Sequence, residues 1–443
     1  MAVFGVVLLA VGVLLSIALH EVGHLLPAKR FGVKVTQYMV GFGPTVWSTR
    51  RGETEYGVKA IPLGGYIRMI GMFPPKPGRP VREDSTGRLG LLVDQARHDA
   101  QRDIGPEDFD RLFYTRSVPK RVVIMLGGPV MNLLIAVVLL TVILTGFGLP
   151  GETTRLSQVF SCVLPPDAQP DAVCTPNDQQ APAAAAGLLP GDVITRFSGR
   201  PVTDWEDVRA DIKRSAGKPV TLTVQRGAAT REVLVTPVVA TRPVLDADNQ
   251  RVLDSAGRQK TERVGFLGVS PTTELVPQPV SAVPGYIGGL LGQTANLVVR
   301  IPAKMVGVAQ ALVGTAPRDP NGPVSIVGIG RFAGEVGSAQ GDSANPITFG
   351  DRLASWLNML AALNLALFLF NLVPLLPLDG GHVAGALWEG ARRQFARLAH
   401  RPDPGPVDIA RALPLVYGMA SVLIAMSMLL ILADIFRPIQ LGG

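Results

Sequence analysis

The stretch Leu15-Ser16-Ile17-Ala18-Leu19-His20-Glu21-Val22-Gly23-His24-Leu25-Leu26 decides how the rest of the chain is read. It closes an apolar run that begins at Val3. A run of about 20 apolar residues is long enough to cross a bilayer as a helix. Three ionisable side chains sit near the far end of this one. His20 and His24 are one helical turn apart and share a face. That spacing lets two imidazoles hold one Zn²⁺, with Glu21 beside them as a base for a water that the metal polarises. Ionisable groups inside a span cost free energy and mark function. Two histidines resting at the membrane interface would leave Glu21 unexplained.

The composition agrees with a membrane protein. Of 443 residues, 47% are hydrophobic and only 17% are charged, where about a quarter is usual for soluble chains. Three further runs reach spanning length: Val122 to Leu149, Leu353 to about Pro377, and Leu413 to Phe436. The first run lacks the basic start and small-residue cleavage site of a signal peptide, so it is read as a retained span. Lys and Arg near the span ends set orientation. Lys29, Arg30, Arg50, Arg51, Lys120 and Arg121 fall between the first two spans, and Arg392, Arg393, Arg397, Arg401 and Arg411 in the loop between the last two. Both regions read as cytoplasmic, which places residues 150–350 and both termini outside. These loops account for the net charge of +7. There is no basic stripe or motif for nucleic acid, and no nucleic-acid partner is expected. The expected fold class is a polytopic α-helical membrane protein with about four transmembrane helices, in the inner (plasma) membrane.

A catalytic zinc takes three protein ligands and keeps one position open. His98 and His400 lie in polar loops, and the better candidate is Asp379, in Asn371-Leu372-Val373-Pro374-Leu375-Leu376-Pro377-Leu378-Asp379-Gly380-Gly381-His382. The first and third spans run the same way. His20 lies roughly 27 Å along its span at the helical rise, and Asp379 follows the inner end of its own. The two therefore reach similar depth. His382, three residues on, is the rival ligand. Pro374 and Pro377 should break the helix there.

Between the first two spans, Tyr38 to Gly43 and Tyr56 to Ile67 flank a charged turn at Arg50 to Glu55. This alternation reads as a β-hairpin, either dipping into the bilayer against protein or lying in the cytoplasm. Residues Phe73 to Ser117 read as a polar loop with a possible short helix. Cys162 and Cys174 fall in a Pro-rich external insert, where a disulfide is favoured over two free thiols. Residues 183–270 read as a small α/β domain. Its turn at Gly187 to Ile194 resembles that of PDZ domains, and Gly265-Phe266-Leu267-Gly268-Val269 resembles their carboxylate-binding loop placed last, as in the permuted form. Tyr286 to Thr315 reads as one or two amphipathic helices at the outer surface. The alternative is a fifth span, with Arg300 and Lys304 at mid-membrane.

Taken in order, His20 to His24, Gly128-Pro129-Val130-Met131-Asn132, the PDZ-like stretch and Asn371 to Gly381 cover most of the chain. This order resembles the site-2 protease family of intramembrane zinc metalloproteases, near the bacterial regulator-of-sigma-E type. The resemblance implies that His20, His24 and Asp379 bind Zn²⁺, that Glu21 is the general base and that Asn371 holds the substrate backbone. It implies a membrane-re-entrant hairpin over Gly41 to Ile67. It also implies a single-span membrane substrate, such as an anti-sigma factor, already shortened outside. The expected division is 1–149 for the first two spans with the hairpin, 150–275 for an extracytoplasmic PDZ-like domain, 276–350 for surface helices and 351–443 for the last two spans. The alternatives are an inactive PDZ-containing scaffold, against which the intact Glu21 argues, and a metal or ion transporter, for which one such ligand set makes no path.

Overall fold

The computed structural model describes residues 1–72, 74, 104–164, 174–176, 178–244, 260–340, 347–407 and 412–439. In chain order the helices are α1 (Ala2–Arg30), α2 (Val118–Val142), α3 (Pro182–Ala185), α4 (Trp205–Arg214), α5 (Val283–Leu312), α6 (Ile326–Ser338), α7 (Phe349–Leu372), α8 (Asp379–Leu398) and α9 (Leu413–Phe436). The strands are β1 (Val35–Arg51), β2 (Thr54–Met69), β3 (Leu149–Val159), β4 (Val193–Phe197), β5 (Arg200–Pro201), β6 (Val220–Arg226), β7 (Ala229–Val235), β8 (Val238–Pro243), β9 (Thr261–Phe266) and β10 (Val269–Val276). They form two compact units, Met1–Gly146 with Pro279–Gly443, and Phe147–Gln278.

In the first unit, α1, α2 with its one-turn π extension to Phe147, α7 and α9 are each long and apolar enough to cross a membrane. Several boundaries differ from the sequence reading, and the third of these helices also begins at Phe349, ahead of Leu353. The first helix runs past Leu26 to Arg30, where Lys29 and Arg30 favour the negative end of the helix dipole. The second begins at Val118, with a proline at the tolerated first turn. The third stops at Leu372, ahead of Pro374, because the residue before a proline is pushed out of the helical region. The segment expected as a loop between the last two spans is instead a helix, α8. Asp379 in its first turn and Arg397 in its last both suit the dipole, and Arg393 pairs with Glu389 one turn earlier at 3.1 Å. Neither α5 nor α6 is among the four helices apolar enough to span. Arg300 and Lys304 lie inside α5, and Lys304 pairs with Asp319 at 2.7 Å.

Small residues and two polar ties fix the helices against one another. A Cβ on Gly23 would fall 2.2 Å from the carbonyl oxygen of Gly127, so α1 and α2 touch backbone to backbone. Buried Asn364 of α7 donates to Ser16 of α1 at 2.9 Å. Buried Arg121 of α2 forms a two-pronged pair with Glu389 of α8, at 3.0 and 2.5 Å. The Val407 N–H also donates to Glu389.

β1 and β2 form the expected hairpin around Gly52, but it is bent double. Tyr38 to Val40 pair with Gly65 to Ile67 on one side and with Tyr56 to Val58 on the other. Gly41, at φ +92°, makes the bend in β1, where a side chain would strike the Ile61 carbonyl. In the loop expected over Phe73 to Ser117, residues 73 and 75–103, with His98, lie outside the described residues. Its end forms two 3₁₀ turns, Pro106–Arg111 and Phe113–Thr115.

The second unit has a sheet in the order β10-β3-β4-β6-β7, with β5 on β4, and a separate β8-β9 pair. Strand β3 lies ahead of the α/β pattern legible in the sequence. Helix α4 is capped by Asp204, which accepts from the Asp207 N–H. It buries Trp205, Val208 and Ile212, spaced along one face, against Ile194, Leu222 and Val224. Cys162 and Cys174 are joined as a disulfide. Fully buried Asp192 accepts from Arg226 at 2.7 and 2.8 Å and from the Leu189 N–H. The Arg226 guanidinium holds this carboxyl below the usual carboxylate range, against the opposing effect of burial.

Candidate metal centre

Helix α1 carries His20 and His24 one turn apart on the face turned to α2 and α8. Their Nε2 atoms are 3.2 Å apart. Asp379, the first residue of α8, places Oδ2 3.4 Å from each of them. Among the described residues these three form a group whose donor atoms all lie within 4.8 Å. Bonds of about 2.0–2.1 Å to a tetrahedral zinc require donors separated by roughly 3.3 Å. The three observed separations match that edge length, so the donor set fits a zinc ion with one face left open.

The surroundings prepare these donors. His24 Nδ1 is 2.8 Å from the carbonyl of Ile124 on α2. A carbonyl only accepts, so this contact puts the proton on Nδ1 and leaves the Nε2 lone pair for a metal. Gly128 faces the pair. A Cβ there would lie 2.2 Å from His24 Nε2 and 2.7 Å from His20 Nε2, in the space the ion requires. Gly128 belongs to the second-span motif quoted above, but the sequence does not show which atoms it makes room for. The signal available was a glycine interrupting an apolar helix at a cost of about 1 kcal/mol.

Glu21 is buried, with its charge in electrostatic reach of His20, His24 and Asp379 and a hydrogen bond to the Ile67 backbone. The hairpin backs directly onto it. A Cβ on Gly65 would stand 3.0 Å from Glu21 Cγ. Tyr38 of β1 donates its hydroxyl to the Ala18 carbonyl of α1 at 2.7 Å. The β1-β2 pair thus packs directly against the base.

Asn371 lies half-buried in the last turn of α7, ahead of the 373–378 segment, half-buried to exposed, that leads to Asp379. His382, the rival ligand, stands outside the three-donor group, and its Nδ1 is buried with no hydrogen-bond partner. His400 is exposed beyond the end of α8. The sequence missed Arg121 and Glu389, because nothing in the pattern pairs two residues so far apart.

The model of peptidase family M50 matches residues 8–401. Zinc metalloprotease Rip1 of Mycobacterium tuberculosis (strain ATCC 25618 / H37Rv) is 33% identical over 450 residues, covering 100% of this chain and 99% of that protein. Rip1 of Mycolicibacterium smegmatis is 33% identical over 451 residues, with 99% and 98% covered. Metalloprotease MmpA of Caulobacter vibrioides is 27% identical over 391 residues, with 86% and 85% covered.

Proposed function

This chain belongs to peptidase family M50, the site-2 protease family of zinc metalloproteases, and on that premise we propose that it cuts within the transmembrane segment of a single-span membrane protein already shortened outside by another protease. An anti-sigma factor is the kind of substrate meant. The observation that carries the reading is the convergence of His20, His24 and Asp379 between apolar helices, with Glu21 next to them. His20, His24 and Asp379 hold the zinc. Bound zinc supplies Lewis acidity, which polarises a water and the scissile carbonyl. Glu21 takes a proton from the attacking water and passes it to the departing amine.

A transmembrane helix hides its amide bonds, so the substrate must unwind before it is cut. Its freed N–H and C=O groups then need partners, since lipid offers none. The hairpin edge beside Glu21 and the Asn371 side chain supply them by strand addition. The basic residues Lys29, Arg30, Lys120 and Arg121 put this end of the helices on the cytoplasmic side. Water then reaches the zinc from the near surface, and residues 150–275 lie outside as a PDZ-like domain. There a groove of about 920 Å³, lined by Trp205, Arg209 and Lys213 of α4 and by Phe266 to Pro271, lies along edge strand β10. It reads a newly made C-terminus or excludes substrates that are too large.

The test is cleavage of a single-span substrate in proteoliposomes, with zinc measured in the same samples. Glu21→Gln should retain zinc and lose about 10²–10⁴-fold in rate. Asp379→Asn should lose zinc. Equal cleavage by wild type and Glu21→Gln would overturn the reading. Unchanged zinc in Asp379→Asn would move the third ligand to His382.

A further inference from the structure

Helix α8 carries the third ligand at its first residue, and its far half has a face that no protein covers. Gly380, Ala386, Glu389 and Ala396 are buried. On the other side, Leu387, Trp388, Phe395 and Leu398 are 56%, 62%, 66% and 74% exposed. At 100° per residue these four fall within one apolar stripe. Arg392 and Arg397 flank it, and Arg401 follows the helix end. Among the described residues no carboxylate pairs with any of these three arginines. The neighbouring acid, Glu389, is already taken by Arg121 and Arg393. A stripe of one Trp, one Phe and two Leu is a poor surface to leave in water.

Two observations say what covers it. The first is continuity with the membrane spans. Gly390 of α8 packs on Val118, and Arg121 pairs with Glu389, so this half of α8 lies beside the first turns of spanning helix α2. The second is charge. Half-exposed Arg392 and exposed Arg397 and Arg401 beside an apolar stripe match the anionic headgroups and acyl chains of the cytoplasmic leaflet.

We propose that α8 is a lipid-reading element. Leu387, Trp388, Phe395 and Leu398 enter the acyl boundary, and Arg392, Arg397 and Arg401 take anionic lipid headgroups. Because α8 begins at Asp379 and is tied to α2 by Arg121 and Glu389, lipid engagement steadies the carboxylate against the histidines. This rests on the reading that the basic end of the helices meets the bilayer surface. Its readout is lipid contact, so its failure would leave the proteolytic reading untouched.

The test is tryptophan quenching in the full-length protein, reconstituted in bilayers with brominated phosphatidylglycerol or brominated phosphatidylcholine. Subtracting the emission of Trp388→Phe isolates Trp388 from Trp47, Trp205 and Trp356. The anionic lipid should quench Trp388 more strongly than the zwitterionic one. Each arginine neutralised should reduce the apparent affinity for the anionic lipid about fivefold, and R392Q/R397Q/R401Q should abolish the preference. Equal quenching by both lipids would overturn the headgroup assignment. No quenching by either would show the stripe covered by protein, such as a second copy of the chain, and would overturn the proposal.

Discussion

Gly128 is the residue whose role the sequence conceals and the structure supplies. A side chain there would stand against the Nε2 atoms of His20 and His24. Gly128→Ala should therefore fold as a helix, which alanine favours, yet retain little zinc. Metal analysis of the purified variant, with circular dichroism as the folding control, checks this. Full zinc occupancy would mean that α2 shifts away freely. The two histidines and Glu21 were legible because a helical turn sets their spacing and an apolar span makes them costly. Asp379 was legible from counting depth along parallel helices. Between the two nearby donors, the structure brings the Asp379 carboxylate to 3.4 Å from both histidines and leaves His382 outside that group.

Among the elements, α8 departs most from what the sequence suggests. Its arginines made it look like a loop, since a half-exposed amphipathic helix beside a bundle has neither the apolar run of a span nor the pattern of a soluble core helix. What holds it is the buried pair of Arg121 and Glu389, at 5% and 1% exposure. Removing one charge of such a pair leaves the other buried and alone, at a cost of about 3–5 kcal/mol. Glu389→Gln should accordingly lower the unfolding temperature sharply in detergent. R121M/E389M, which removes both charges, should come close to wild type. If the single and double variants melt together, the pair does not hold α8. The bent hairpin shows a similar limit. Alternation marked two strands, but the doubling-back at Gly41 depends on contacts between Tyr38 to Val40 and both arms of β2.

Across the molecule, the four helices long and apolar enough to cross a membrane were plain from composition, because a bilayer demands a minimum apolar length. The second unit was harder to read. Its short strands alternate weakly, and β3, the partner of edge strand β10, lies ahead of the pattern that marked the domain. Its stability has a pH signature. Asp192 has a lowered pKa when folded, so the stabilisation from Arg226 is complete above the unfolded value of about 3.9. It is lost as pH falls through the lowered folded value. The denaturation midpoint of this unit should fall below about pH 4. Arg226→Gln should lower the midpoint at neutral pH and remove that acid step. A step of unchanged size in the variant would assign the transition to another carboxylate.

The family assignment and the zinc site say what chemistry is done, and the place of the cut says where. Mass spectrometry of the fragments from a single-span substrate, incubated in proteoliposomes with the wild-type protein, locates the broken bond. The account predicts scission inside the apolar segment, towards its cytoplasmic end, with no such fragments from Glu21→Gln. Scission confined to residues outside the span, or the same fragments from Glu21→Gln, would contradict it.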